Sequence, residues 1–140
     1  MTILHEKLNK VSKCDFNVML LGETGVGKTE AASWIHDHSS RKNKKFHSIN
    51  IGTMSKELLL SSLCGVTKGA FTDCQESKPG IFEKCEGGTL FIDEIGEIDI
   101  ETQTSFLAMF TANPNELKFS RMGSDEEKRV NIRIITATDK

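Results

Sequence analysis

No stretch of this chain approaches the roughly 20 consecutive apolar residues that a membrane-spanning helix needs. Its start, MTILHEKLNK, lacks the apolar block of a secretory signal. Internal repeats and low-complexity segments are also missing. So is net positive charge: 18 Lys and Arg stand against 20 Asp and Glu, a formal charge of -2, so bulk charge does not draw the chain to DNA. The one basic run, Arg41 to Lys45 (RKNKK), is short and reads as a solvated loop. Cys14, Cys64, Cys74 and Cys85 form no C-x-x-C pair, as expected of reduced thiols in a cytoplasmic protein. His36 and His38 lie two apart in a predicted helix and point to different faces, which argues against a metal site.

What is present begins with 140 residues, one domain's length and enough to bury a core. Asn17 to Leu21 (NVMLL) is an apolar run of strand length followed by a Gly-rich turn. A helix is expected from about Lys28 to His38, with Ala31, Ala32, Trp34 and Ile35 as its apolar surface. Phe46 to Ile51 alternates as a strand does, Lys56 to Cys64 reads as a leucine-rich helix, and Gly80 to Cys85 as a short helical piece. Thr89 to Ile92 and Ile132 to Thr136 are apolar enough to be strands buried on both faces. Asp99 is placed to cap a helix whose Phe106, Leu107 and Phe110 share a face. Asn113 to Asn115 is a turn, and Glu116 to Arg129 has no clear period. Strands alternating with helices predict an α/β fold, a mostly parallel sheet with helices on both faces.

Two motifs carry chemistry. GETGVGKT, Gly22 to Thr29, fits G-x-x-x-x-G-K-[ST] between a predicted strand and a predicted helix, the context a phosphate-binding loop requires. Its glycines let backbone N–H groups converge on phosphate oxygens, and the helix contributes its positive end. The candidate nucleotide-binding residues are Gly22, Glu23, Thr24, Gly25, Val26, Gly27, Lys28 and Thr29, with Lys28 on the β- and γ-phosphates of ATP and Thr29 on Mg2+. In TLFIDE, Thr89 to Glu94, an apolar strand delivers two carboxylates at its C-terminal end, where open α/β sheets bind ligands. Asp93 suits Mg2+, and Glu94 suits the base that polarises the attacking water. A third segment, Gly69 to Thr72 (GAFT), says locally only that an aromatic sits in a Gly-containing loop, where burial of Phe71 in the core is the commoner outcome.

From about Val11 onward the chain resembles the AAA+ domain of sigma-54-dependent transcription activators, the bacterial enhancer-binding proteins. The resemblance is carried by GETGVGKT, by Ile35, His36 and Ser39 at a helix end, and by Asn50 after the second strand. It continues through Gly69-Ala70-Phe71-Thr72-Asp73-Cys74 where the family has GAFTGA, and through GGTLFIDEIG from Gly87 to Gly96. Arg121-Met122-Gly123-Ser124 stands for the family's RVGG, and Ile132 to Asp139 for its VRIIAATN. The resemblance implies a P-loop three-layer α/β sandwich, here residues 1–140, up to the sensor I strand and without the helical lid. It implies ring oligomers of the chain with itself, usually hexamers, that bind and hydrolyse ATP at subunit interfaces. It implies a transcription regulator of response-regulator type that touches DNA only through another domain. It also implies that Gly69, Ala70, Phe71 and Thr72 contact the sigma-54 subunit of RNA polymerase. By the same matching, Asn50 restrains Glu94, Arg121 reaches a neighbouring subunit's γ-phosphate with Arg133 as rival, and Asp139 occupies the sensor position.

The chain departs from that pattern in three places. GAFTDC replaces GAFTGA, so Asp73 adds a carboxylate and restricts φ where the family has glycine, which is expected to weaken sigma-54 engagement. Asp139 replaces an Asn; an ionised carboxylate accepts hydrogen bonds but donates none, and repels a phosphate, so slowed hydrolysis is expected. SSLCGVT, Ser61 to Thr67, stands where the family has SELFGHE. These departures keep open a second reading, a module that binds nucleotide without remodelling polymerase. A small-molecule kinase built on the same loop is disfavoured by GGTLFIDE and GAFT.

Overall fold

The computed structural model describes residues 10–22, 27–52, 54–71 and 74–138. Among the described residues, four strands form the central sheet: β1 (Val18–Leu21), β2 (Phe46–Asn50), β5 (Thr89–Asp93) and β8 (Arg133–Thr138). Their order is β1-β8-β5-β2 and every pairing is parallel. The strand that leads into the Gly-rich loop is therefore separated from the strand that ends in Asp93 by β8.

Burial explains why β5 and β8 sit inside. In β5, Leu90 and Ile92 enter one apolar cluster while Phe91 enters another, as period-two side chains must when both faces are covered. In β8, Ile134 faces the first cluster, and Ile135 and Ala137 the second. Helix α1 (Lys28–Asp37) covers one face with Ala32 and Ile35. On the other face lie α2 (Lys56–Cys64) with Leu59 and Leu63, α3 (Ile81–Lys84) with Phe82, and α4 (Ile100–Leu107) with Phe106. The result is a three-layer α/β sandwich.

Helix ends follow their sequence signals. Ser55 caps α2 by accepting from the Leu58 amide, and Asp99 caps α4 by accepting from Thr102. A two-stranded pair, β3 (Gly65–Val66) and β4 (Lys78–Pro79), closes the base of the GAFT loop. The segment without a clear period is a hairpin, β6 (Glu116–Phe119) and β7 (Lys128–Asn131), whose Leu117, Phe119 and Val130 are buried. All four cysteines are free, and burial pushes the Cys64 thiol up to about 11. Among the described residues, no helix is long and apolar enough to cross a membrane.

Three expectations need correction. Arg41 is not solvated: it is buried, with Nε and Nη2 donating to the Asp15 carboxylate at 2.8 Å each. Its Nη1 donates to the Gly88 carbonyl and its Nη2 also to Asn131 Oδ1. The guanidinium thus ties the entry to β1 to the turn before β5, which a planar fork of donors can do and an ammonium cannot. Leu107 does not join Phe106 on the buried face but is 66% exposed, because one helical step of about 100° turns it away. Phe110, beyond the helix, does pack edge-on against Phe106. Arg133 is buried at the N-terminal end of β8, donating to the carbonyls of Phe16 and Val11, so it is no candidate for reaching a neighbour's phosphate.

His36 is a core residue rather than a ligand. Its Nε2 meets the Lys44 carbonyl, so that nitrogen carries the proton, and its Nδ1 accepts from the Thr89 hydroxyl. Replacing Arg41 with Ala strands the Gly88 carbonyl and Asn131, and is expected to cost about 2 to 3 kcal/mol. Arg41→Lys is expected to recover less than half of that loss, read as the urea midpoint of unfolding.

Candidate functional site

The parallel register brings the strand ends to one edge. Leu21 pairs with Thr138, Ala137 with Asp93, and Asp93 with Asn50. Gly22 extends this line by donating its amide to the Thr138 carbonyl at 3.3 Å. The C-terminal ends of β1, β5 and β2 thus present Gly22, Asp93 and Asn50 at one end of the sheet, Asp93 beside Asn50 and separated from Gly22 by the end of β8, where open α/β sheets place their ligands.

Lys28 arrives at this edge from the first turn of α1. The turn is made by Gly27, left-handed at φ 80°, which no side chain caps. The N-terminal amides of α1 and its positive dipole end, as an anion site requires, share this turn with the Glu30 carboxylate, whose Oε2 stands 3.6 Å from where a Gly27 Cβ would lie. Lys28 Nζ donates to the Gly22 carbonyl at 2.7 Å, so the ammonium reaches back to the residue that follows β1. Thr29 lies in the same turn and is exposed. Glu23, Thr24, Gly25 and Val26, together with Thr72, Asp73 and Asp139, lie outside the described residues.

The two acids behave differently. Asp93 ends its strand half-buried, and its Oδ1 accepts from the Glu94 amide at 2.9 Å. Glu94 takes the left-handed conformation, φ 62° and ψ 39°, which is strained for a residue with a long side chain. Among the described residues, no group of three or more His, Cys, Asp or Glu is arranged to hold a metal ion. Asp93 and Thr29 offer one carboxylate and one hydroxyl, oxygen donors of the kind that suit Mg2+ together with phosphate oxygens and water.

Asn50 does not meet Glu94 by a hydrogen bond; its Oδ1 accepts from the Gly52 amide at 3.0 Å. The Glu94 carboxylate instead lies over Gly52, where a Cβ would overlap it. Gly52 had no signal in the sequence beyond its place two residues after Asn50.

A second cluster forms around the GAFT loop. Gly69, left-handed at φ 88°, donates to the Cys74 carbonyl, and the Cys74 amide donates to the Phe71 carbonyl. The Cys74 thiol reaches the carbonyls of Thr67 and Glu76 at 3.4 and 3.3 Å. The closed turn leaves Phe71 45% exposed, so Phe71 is not a core residue. Ala70 packs against Gly123, where a Cβ would approach Ala70 Cβ to 2.7 Å. Arg121 belongs to this cluster and not to the strand edge. Its Nε and Nη2 bind both oxygens of Glu83 at 2.9 Å, with Lys128 Nζ at 3.8 Å. Glu83 went unnoticed in the sequence because 38 residues separate it from Arg121.

An apolar cleft of about 480 Å3 lies on the sheet face between β1 and α4, lined by Val18, Met19, Phe106 and Leu107 among others. No charged side chain lines it.

The family model described as the sigma-54 interaction domain matches residues 1–140. The chain belongs to the sigma-54 interaction domain family.

Transcriptional regulatory protein FlgR of Helicobacter pylori is 42% identical over 130 residues, covering 93% of this chain and 33% of FlgR. A Geobacillus stearothermophilus protein named limonene hydroxylase is 42% identical over 92% of this chain and 23% of its own length. NtrX from Brucella abortus superposes with a TM-score of 0.86 at 31% identity, covering all of this chain and 30% of NtrX. NtrX has also been solved in complex with ATP, with a TM-score of 0.85 and 29% identity over 100% of this chain and 30% of NtrX. The chain thus spans about a quarter to a third of these relatives' lengths.

The Glu83–Arg121 pair sets a pH dependence within this sigma-54 interaction domain. The Arg121 hydrogen bonds, more than the charge of Lys128, hold the Glu83 carboxyl below its ordinary value of 4.5. A carboxyl depressed by folding contributes stability above its unfolded value, lost as pH falls through the folded one. Glu83→Gln is therefore expected to melt lower than the unmodified protein at neutral pH, with the gap closing below about pH 4.5. Thermal melts across that range check this.

Proposed function

We propose that this chain is the ATP-binding and ATP-hydrolysing core of an activator that remodels sigma-54 RNA polymerase. The observation that carries the reading is the alignment of Gly22, Lys28, Asp93 and Glu94 on one edge of a parallel sheet. The structure of NtrX in complex with ATP supports the choice of nucleotide.

In this reading the loop from Gly22 to Thr29 wraps the phosphates with its amides, Glu23, Thr24, Gly25 and Val26 included. Lys28 exchanges the Gly22 carbonyl for the β- and γ-phosphate oxygens. Thr29 and Asp93 would hold Mg2+, which when bound would neutralise charge on the phosphates. Glu94 orients and deprotonates the attacking water, a role worth about 10² to 10⁴ in rate. For that, its carboxylate turns from Gly52 back toward Lys28. Asn50, across from Asp93 on the strand farthest from β1, restrains where Glu94 can go. Arg121 acts on the γ-phosphate of a neighbouring copy in a ring, a hexamer, and must first release Glu83. Asp139 stands beside the γ-phosphate. Gly69, Ala70, Phe71 and Thr72 contact sigma-54. DNA is reached only through another domain, and the setting is the cytoplasm.

A second reading is a nucleotide-binding module that does not remodel polymerase. Asp73 and Asp139, carboxylates where the family has glycine and asparagine, favour it.

Steady-state ATP turnover separates the two. The unmodified protein is expected to turn over ATP, Asp139→Asn to do so faster, and Glu94→Gln to lose at least about a hundredfold while keeping nucleotide affinity. Turnover in Asp139→Asn alone would favour the second reading. So would turnover in the unmodified protein with promoter opening only in the Asp73→Gly, Cys74→Ala double variant. Absence of turnover in both the unmodified protein and Asp139→Asn contradicts the ATPase assignment.

A further inference from the structure

We infer that Gly52 is the positioning residue for Glu94: its missing Cβ is the seat in which the catalytic carboxylate rests away from the phosphates. The inference rests on the reading of Glu94 as the base for ATP hydrolysis. Three observations carry it. First, a Cβ built on Gly52 would overlap Glu94 Oε2, and would stand 3.1 Å from its Cδ and 3.3 Å from its Cβ. Any side chain at position 52 therefore takes the volume that the carboxylate fills.

Second, Gly52 is itself fixed. Its amide donates to Asn50 Oδ1, and the preceding amide, that of Ile51, donates to the Asp93 carbonyl at 3.2 Å. The turn after β2 is thus fastened to the end of β5, and the seat cannot drift from the acid that it receives. Asn50 acts here through Gly52, by holding the turn, and not by gripping the carboxylate.

Third, the direction is away from the phosphate loop. β5 has β8 on one side and β2 on the other, and β1 with its Gly-rich loop lies beyond β8. A Glu94 carboxylate over the residue that follows β2 leans toward the opposite edge of the sheet. To reach a water beside Lys28 it must leave the seat, so the seat holds the resting position.

Gly52 does not need to be glycine for its own backbone, which lies outside the left-handed region. The atom most crowded by an added Cβ is the free end of a flexible side chain. Gly52→Ala should therefore fold and move Glu94 rather than the turn. With the resting position closed, the population of forward-facing carboxylate rises.

The test compares the purified protein with Gly52→Ala in ATP turnover and in binding of a fluorescent ATP analogue. Thermal melts of Gly52→Ala, Glu94→Ala and the double variant accompany it. Gly52→Ala is expected to raise kcat about three- to tenfold with the analogue's affinity held within about twofold. Its melting shift should change in the Glu94→Ala background, where the carboxylate is gone. An unchanged or lowered kcat overturns the inference. If neither protein turns over ATP, the ATPase reading fails by itself and the melts decide the seat: a coupled shift upholds it, and additive shifts overturn it.

Discussion

β8 is the element on which the rest of the site depends. It is the inner strand that joins β1 to β5, and it hydrogen-bonds to both in parallel register. That register carries Leu21 and Asp93 to the same end of the sheet, so the loop after β1 and the acids after β5 share one edge. The strand is held by burial on both faces and by Arg133 at its start, whose guanidinium gathers the carbonyls of Val11 and Phe16. Asn17 Oδ1 accepts a further bond from the Ile134 amide at 2.8 Å. A shift of one residue in this register would turn Ile134 and Ile135 to the wrong faces and separate Lys28 from Asp93 at once.

The two functional clusters are built on different physics. The strand edge is set by main-chain pairing, which is rigid, and it carries groups that are poised rather than engaged: Lys28 on a carbonyl, Glu94 strained and turned aside. The GAFT cluster is set by loop closure and one bidentate ion pair. Arg121, through Met122 and Gly123, lies against the loop that exposes Phe71: the Thr67 amide donates to the Met122 carbonyl, and the Met122 amide to that of Gly65, each at 2.9 Å.

Much of the fold was legible because its elements carry local signals. The strand and helix on either side of GETGVGKT, the apolar TLFI strand, the cap at Asp99 and the leucine-rich α2 all fell where periodicity and turn chemistry put them. The hairpin from Glu116 to Asn131 was not legible, because its alternation is masked by lysines and arginines on the outer face. Arg41 was misread for a related reason: a basic run looks solvated until Asp15, Gly88 and Asn131, distant in sequence, converge on one of its members. In the candidate site, residue types at motif positions were legible and their states were not. Nothing local announces that Glu94 rests over Gly52 or that Arg121 is paired with Glu83.

The central claim is that the edge between β1 and β5 is a nucleotide site closed by Lys28. Titration of a fluorescent ATP analogue into the purified protein and into Lys28→Ala tests it most directly. The account predicts saturable binding by the unmodified protein and a loss of at least about tenfold in Lys28→Ala, the loss of one charge-assisted contact to phosphate. Equal affinity of the two proteins, or no binding by the unmodified one, would contradict it.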